Sequence, residues 1–178
     1  FVHYRFLRTM GERGPTAMSA YYNEIDPYAA QWLRNLMAKG LIPVGQVDER
    51  SITDVQADDL RGFVQCHFFA GIGGWAYALR LAAWPDDRPV WTGSCPCQPF
   101  SIAGKVGGVK DERHLWPQWL RLIRERKPSK VFGEQIASSA GHQWLAGVHL
   151  EMEQEGYSFA AANLCAASVQ AKHPRQRL

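Results

Sequence analysis

The residues best suited to chemistry lie in the stretch GSCPCQPFS, residues 93–101, where Cys95 and Cys97 alternate with Pro96 and Pro99. Three chemistries compete for such a pair: a metal site, a redox couple, or a loop that presents one reactive thiol. A structural zinc site takes about four ligands in paired spacings, yet Cys66 and Cys165 stand alone and no second pair is near. No metal is expected. The Cys-x-x-Cys spacing of a redox couple is absent too. The zinc nucleobase deaminases need His-x-Glu followed by Pro-Cys-x-x-Cys. Here Phe100 occupies the second cysteine's place, and the His-x-Glu of His149 and Glu151 comes after the cysteines instead of before them. What remains is a thiolate at a strand end, its loop stiffened by two prolines, and nucleophilic catalysis is the chemistry open to it. The competing reading is a buried, inert cysteine, the commoner fate of a lone thiol.

A second candidate is HFFAGIGGW, where Gly71, Gly73 and Gly74 lie between an apolar run and a helical pattern. Glycines at that junction let the backbone approach a ligand, and open sheets bind ligands at the carboxyl ends of their strands. A tight turn with no ligand explains the same residues. The segment AKHPRQRL, residues 171–178, gathers Lys172, Arg175 and Arg177, and on its own it reads as a solvated basic run.

The elements that must position these residues follow from periodicity. AYYNEI reads as a strand, and a helix follows with Asp26 as N-cap, Pro27 at its first position and Gly40 as its stop. Ala30, Leu33 and Met37 form its apolar stripe. LIPVGQVDERSITDV offers a second strand or an extended loop; QCHFFAGIGGWAYALRLAAWP offers strand, glycine turn and a helix ended by Pro85; RPVWTGS is the strand that runs into the cysteines. Residues 103–114 are a polar, glycine-rich loop of about a dozen residues, a length that points to a functional role. LWPQWLRLIRERKP is a helix between Pro117 and Pro128, and KVFGEQI is a strand. SSAGHQWLAGVHLEMEQEG is a helix with Trp144, Val148 and Met152 four apart, and YSFAAANLCAASV is read as a last strand. Strands alternating with helices at these lengths predict an α/β fold, a doubly wound, largely parallel sheet covered on both faces.

The totals agree with one such domain. A chain of 178 residues, 46% hydrophobic and 21% charged, is globular, and no apolar run approaches the length of a membrane span. A formal charge of +3 is too small to demand a polyanionic partner by itself. The first fifteen residues are too charged to hold an apolar signal segment, so a reducing cytosol is the expected setting for the four cysteines.

Four segments in register carry a family resemblance. FFAGIGG, GSCPCQPFS, VFGEQI and AKHPRQRL, in that order, look like the first, fourth, sixth and eighth motifs of the cytosine-5 DNA methyltransferases, and the likeness extends across residues 68–178. The resemblance implies the Rossmann-like fold of S-adenosylmethionine-dependent methyltransferases, with S-adenosylmethionine as cofactor and double-stranded DNA as partner. Cys97 is then the thiolate that adds to carbon 6 of cytosine, so that carbon 5 accepts a methyl group, and Cys95 is a bystander. Glu134 matches the glutamate that relieves charge at ring nitrogen 3. Arg175 and Arg177, with His173 where the family has glutamine, correspond to a trio of alternate side chains that hold the base, the catalytic loop or a phosphate. Gln98 and Ser101 fall in the substrate loop.

For the cofactor, Phe69 matches the aromatic residue that lies against adenine; Ala70, Gly71, Gly73 and Gly74 pass its methionine end, and Pro96 closes the list. His67 stands where the family usually has an acid. Because the target carbon is inside the duplex stack, the family flips the base out, at a cost of about a few kcal/mol. The loop at residues 103–114 is placed to close over it.

One feature departs from the usual order. Only about twenty residues separate Gly74 from Cys95, too few for the two strand-helix units that normally carry the second and third motifs. YYNEIDPYAAQWLRNL and GQVDERSITDV look similar to those motifs, displaced in front of the first. Glu24 then takes the ribose, and Gln46 or Asp48 the adenine. The alternative makes Glu24 and Asp26 helix-start residues only.

Residues 1–17 read as an unstructured or untranslated leader, and residues 18–178 as an incomplete catalytic domain without the target-recognition region and last motifs. A monomer in the cytoplasm of a bacterial or phage-infected cell is expected. Two other readings stay open: cytosine-5 methylation of RNA on the same scaffold, and a non-catalytic fragment that binds S-adenosylmethionine or nucleic acid.

Overall fold

The computed structural model describes residues 19–96 and 115–178. Cys97, Gln98, Ser101, the loop at residues 103–114 and the leader at residues 1–17 lie outside the described residues.

Five short strands, β1 (Ala20–Asn23), β2 (Gly45–Asp48), β3 (Gln65–Phe68), β4 (Val90–Gly93) and β5 (Val131–Gly133), form one sheet in the order β2-β1-β3-β4-β5. All four pairings are parallel. The expected α/β, doubly wound parallel sheet is thus present. Helix α1 (Pro27–Ala38) starts as the sequence dictates, because the Asp26 side chain accepts from Ala29 N at 2.8 Å and Pro27 gives up no useful donor. Helices α2 (Gly74–Leu81), α3 (Trp116–Arg126) and α4 (Ser139–Gln154) complete the layers. Among the described residues no helix is long and apolar enough to cross a membrane.

Two apolar clusters show which face each element covers. Ala20 and Tyr22 of β1 pack with Leu33 of α1 and Ala76 of α2. On the opposite face Tyr21, Cys66, Phe68 and Trp91 pack with Trp119, Leu120 and Ile123 of α3, with Val148 and Met152 of α4, and with Ile52, Val55 and Leu60 from the β2–β3 connection.

This division fixes the relative hand of the crossovers, since hand depends on direction across the sheet and on the face used. The β1–α1–β2 link runs outward on the first face. The β2–β3 link and β4–α3–β5 run the other way on the second face, and so share its hand. The β3–α2–β4 link runs in their direction but on the first face, and is of opposite hand. Parallel crossovers are right-handed in nearly all proteins, so this one is the exception. Its tight return uses Ala83 in the left-handed region, φ 55°, with Ala83 N and Trp84 N bonded back to Arg80 O and Leu79 O.

The expected last strand is much shorter than the sequence suggests. Only Leu164–Cys165 (β6) is extended, and it pairs antiparallel with β7 (Gln176–Arg177) outside the main sheet. The run of alanines at residues 160–162 offers no bulky or branched side chain to pack on a pleated surface.

Candidate active site

All five strands end on one row. Asp48, Asn23, Phe68, Gly93 and Gly133 are partners across the sheet, so the residues that follow them emerge along one rim. Strands are about 4.8 Å apart, which places the exits of β1 and β5 roughly 14 Å from each other.

The first half of the rim lies between β1 and β3. These neighbours send their connections in opposite directions, which is the switch point where open α/β sheets form a ligand crevice. Glu24 follows β1, and its Oε2 accepts from Gly71 N at 2.6 Å while Oε1 accepts from Asp26 N at 2.9 Å. Ala70 N donates to Asn23 O at 3.0 Å, which ties the glycine turn to β1. Gly71 and Gly73 have φ of 53° and 81°, values that favour glycine, and a Cβ on Gly73 would come within 3.1 Å of Leu33 and Leu36. Phe69 also has a positive φ, 51°, and its ring meets Trp119 edge-on at 6.2 Å. The structure thus brings Glu24, Phe69, Ala70, Gly71, Gly73 and Gly74 together at the neighbouring exits of β1 and β3.

Asp48 is held differently. Its carboxylate accepts from the Tyr21 hydroxyl at 2.6 Å and from the Arg50 guanidinium, which also reaches Asp59 at 2.8 Å. Burial alone would raise the Asp48 carboxyl, but the hydrogen bonds from Arg50 and Tyr21 outweigh it and hold the group below its usual range. Both oxygens are thus engaged inside the fold, while Gln46 is exposed in mid-strand.

The second half of the rim lies between β4 and β5. Cys95 is buried at the exit of β4, and its carbonyl accepts from Gln135 Nε2 at 3.2 Å; Pro96 after it is exposed. Burial drives the Cys66 thiol up to about 12, so that cysteine is inert. Glu134 follows β5, with its backbone N–H on Gly93 O at 3.2 Å, and its carboxylate is ion-paired with Arg177. Arg177 arrives because residues 176–178 run antiparallel to residues 135–137, with Gln135 and Leu178 exchanging both backbone hydrogen bonds at 3.0 and 2.9 Å. Arg177 is the arginine that meets Glu134, whereas Arg175 and His173 lie exposed before β7.

Beside this pair opens a cavity of about 760 Å³, lined by Glu134, Gln135 and Arg177 and by the apolar Trp116, Trp119, Trp144, Val148 and Met152. The Trp119 indole N–H is buried with no hydrogen-bond partner among the described residues.

Two contributors escaped the sequence reading. Gln135 clamps the β4 exit through Cys95, and its only signal was an amide next to Glu134 at a strand end. Ser94 accepts from Trp75 Nε1 at 3.1 Å across the sheet, a contact that no local pattern announces.

Comparison with known proteins bears on the second half most directly. The model of the C-5 cytosine-specific DNA methylase family matches residues 84–178. The chain is 35% identical to the type II methyltransferase M.HhaI of Haemophilus parahaemolyticus over 96 residues, covering 52% of this chain and 29% of that protein. It is 46% identical to M.NgoMIV of Neisseria gonorrhoeae over 51 residues, 29% of this chain and 16% of that protein. To M.PspPI of Psychrobacter sp. (strain TA137) it is 27% identical over 146 residues, 58% of this chain and 35% of that protein. The chain therefore spans about a third or less of the length of these relatives. The family model covers more than half of the chain, including the cysteine stretch, Glu134 and Arg177, and the chain belongs to the C-5 cytosine-specific DNA methylase family.

Proposed function

We propose that the protein transfers a methyl group from S-adenosylmethionine to carbon 5 of cytosine in double-stranded DNA, with Cys97 as nucleophile. The observation that carries this reading is the common rim: the glycine turn of β3, the β4 exit leading to Cys97 and the Glu134 exit of β5 are on three adjacent strands in register. Cofactor and base then meet over β4.

The crevice fits the cofactor. Glu24 offers a carboxylate for ribose hydroxyls, the glycine turn offers close backbone approach, and Phe69 offers an aromatic surface. When bound, S-adenosylmethionine supplies an electrophilic methyl group. The displaced-motif reading of Glu24 gains support from the opposite hand of β3–α2–β4. In a chain that ran from α2 into β1, that helix would make a crossover of the ordinary hand on the face it already covers, so the sheet keeps its spatial order while the chain order differs. Asp48, in contrast, would act by orienting Arg50 and Tyr21 and not by touching adenine.

The residues divide the reaction as follows. The Cys97 thiolate bonds to carbon 6 and pushes an electron pair into the ring; Glu134, in its acid form once it meets the base, donates to nitrogen 3 and relieves the charge there, and Arg177 holds the Glu134 carboxyl and faces the ring's carbonyl oxygen. After carbon 5 accepts the methyl group it gives its proton to solvent water, the carbon–hydrogen electron pair re-forms the ring double bond, and the sulfur leaves as thiolate with the electron pair of the carbon–sulfur bond. Unstacking the target base costs about a few kcal/mol, which basic side chains such as Arg175 offset at phosphates. A cytoplasmic setting in a bacterial or phage-infected cell accords with this substrate.

Methyl transfer from labelled S-adenosylmethionine to duplex DNA, compared with transfer RNA and with a Cys97→Ser variant, tests the proposal. Label in DNA that disappears with Cys97→Ser is the expected result. Label in RNA alone, or transfer that survives the substitution, overturns it.

A further inference from the structure

Trp75 is the second residue of α2, directly after the glycine turn, and it belongs to neither apolar cluster. Ala76 beside it faces Leu33 of α1 across the first face. The Trp75 side chain reaches the other way. Its Nε1 donates to Ser94 Oγ at 3.1 Å, and its ring stacks on Phe132 with centroids 6.1 Å apart and planes 16° from parallel. Ser94 is the first residue beyond β4 and Phe132 is in the middle of β5, two residues before Glu134. Trp84 meets the same Phe132 edge-on at 6.1 Å, and the Arg88 guanidinium caps Trp84 at 3.9 Å. One indole therefore joins the helix that opens at the cofactor crevice to the exit of β4 and to the middle of β5, the two strands of the proposed catalytic half.

Methyl transfer of the kind proposed above needs donor and acceptor held about 3–3.5 Å apart, and a misplacement of about 1 Å costs on the order of a hundredfold in rate. The two partners are carried by different parts of the rim, the donor by the β1–β3 crevice and the acceptor by β4 and β5. We propose that Trp75 is a positioning residue: through Ser94 and Phe132 it sets the separation between the glycine turn and the β4 and β5 exits, and so aligns the methyl donor with the base. This rests on the functional reading of the preceding section.

The test uses Trp75→Phe, which keeps the stack and loses the N–H; Ser94→Ala, which loses the acceptor; and Ser94→Thr, which keeps it. Covalent trapping of a 5-fluorocytosine duplex in the presence of S-adenosylmethionine reports alignment, and equilibrium binding of S-adenosylhomocysteine reports the crevice alone. Losing one hydrogen bond of this kind should slow trapping about tenfold in Trp75→Phe and in Ser94→Ala, and leave Ser94→Thr near the parent. Cofactor-product affinity should stay within about twofold, and the double variant should be no slower than the slower single one, because both substitutions remove the same contact. Parent-like trapping in either single variant, or effects that multiply in the double, overturns the proposal. If the parent itself does not trap DNA, the functional reading fails. The positional role is then decided by site-resolved alkylation of Cys97 with iodoacetamide, referenced to Cys165: a shared, non-multiplying change in Trp75→Phe and Ser94→Ala supports it, and unchanged rates overturn it.

Discussion

Glu24 and Gly71, 47 residues apart in the chain, are joined by a 2.6 Å hydrogen bond from the Gly71 amide to Glu24 Oε2. The bond bridges the exits of two adjacent strands, so the carboxylate is fixed at the lip of the crevice and not left to choose among rotamers. Hydrogen bonds to a charged group are worth about 1.5–3 kcal/mol, and the same carboxylate is the group proposed to meet ribose hydroxyls. Glu24→Ala should therefore weaken S-adenosylhomocysteine binding roughly tenfold to a hundredfold by calorimetric titration. Unchanged affinity with a lowered melting temperature would assign Glu24 to the turn alone.

How far the chain announces this arrangement depends on the distance over which each contact acts. Asp26 and Pro27 declare the start of α1 because an N-cap is local, and Gly71 and Gly73 declare a turn because few other residues take their φ. The family motifs singled out Glu134, Arg175 and Arg177 as candidates. Sequence could not tell which arginine closes on Glu134, since spacing makes Arg175 and Arg177 equivalent and the antiparallel pairing of residues 176–178 with residues 135–137 is what decides. Nor could it show that Asp48 is engaged by Tyr21, a contact 27 residues long in chain separation, or that Trp75 reaches Ser94. The hand of β3–α2–β4 is likewise a property of faces, and no run of residues encodes it by itself.

Gly93 ends β4 under the ring of Trp119. A Cβ there would lie 2.6 Å from Trp119 Cη2, and that ring is itself immobilised against Phe68, Phe69 and Trp116. The neighbour cannot give way cheaply. Gly93→Ala should cost about 1–3 kcal/mol of stability, measured as a lower urea midpoint, and Gly93→Ala with Trp119→Leu should recover part of it. Additive losses in the double variant would show that the clash is not the cause.

His67 is buried in β3, stacked on Tyr22 at 5.0 Å with Nδ1 2.8 Å from Thr92 Oγ1. Burial lowers its pKa from 6.5 to about 3. The folded protein thus keeps the ring neutral while the unfolded chain binds a proton below pH 6.5, so this contribution to stability is complete above that pH and is lost as pH falls from about 6.5 toward about 3. The slope should approach about 1.4 kcal/mol per pH unit at most. Denaturation of the parent and of His67→Phe across that window should show this component only in the parent; identical slopes would remove His67 as its source.

Arg177 and Glu134 are each about a third exposed, at 33% of full side-chain accessibility. An ion pair in that environment contributes little to folding, below about 1 kcal/mol, because water screens it. The same two groups aimed at a base enclosed in the neighbouring cavity act where water is displaced, and there a single donor or acid is worth roughly a hundredfold or more in rate. Arg177→Ala and Glu134→Gln should accordingly leave the urea midpoint almost unmoved and S-adenosylhomocysteine affinity intact, yet slow covalent trapping of a 5-fluorocytosine duplex by about a hundredfold or more. The separation of these readouts is the decisive part. A large loss of stability with trapping preserved would make the pair a clasp that holds β7 against β5. Loss of trapping at constant stability would place both side chains on the base, with Arg177 doing for the substrate what its sequence neighbour Arg175, exposed before β7, is not positioned to do.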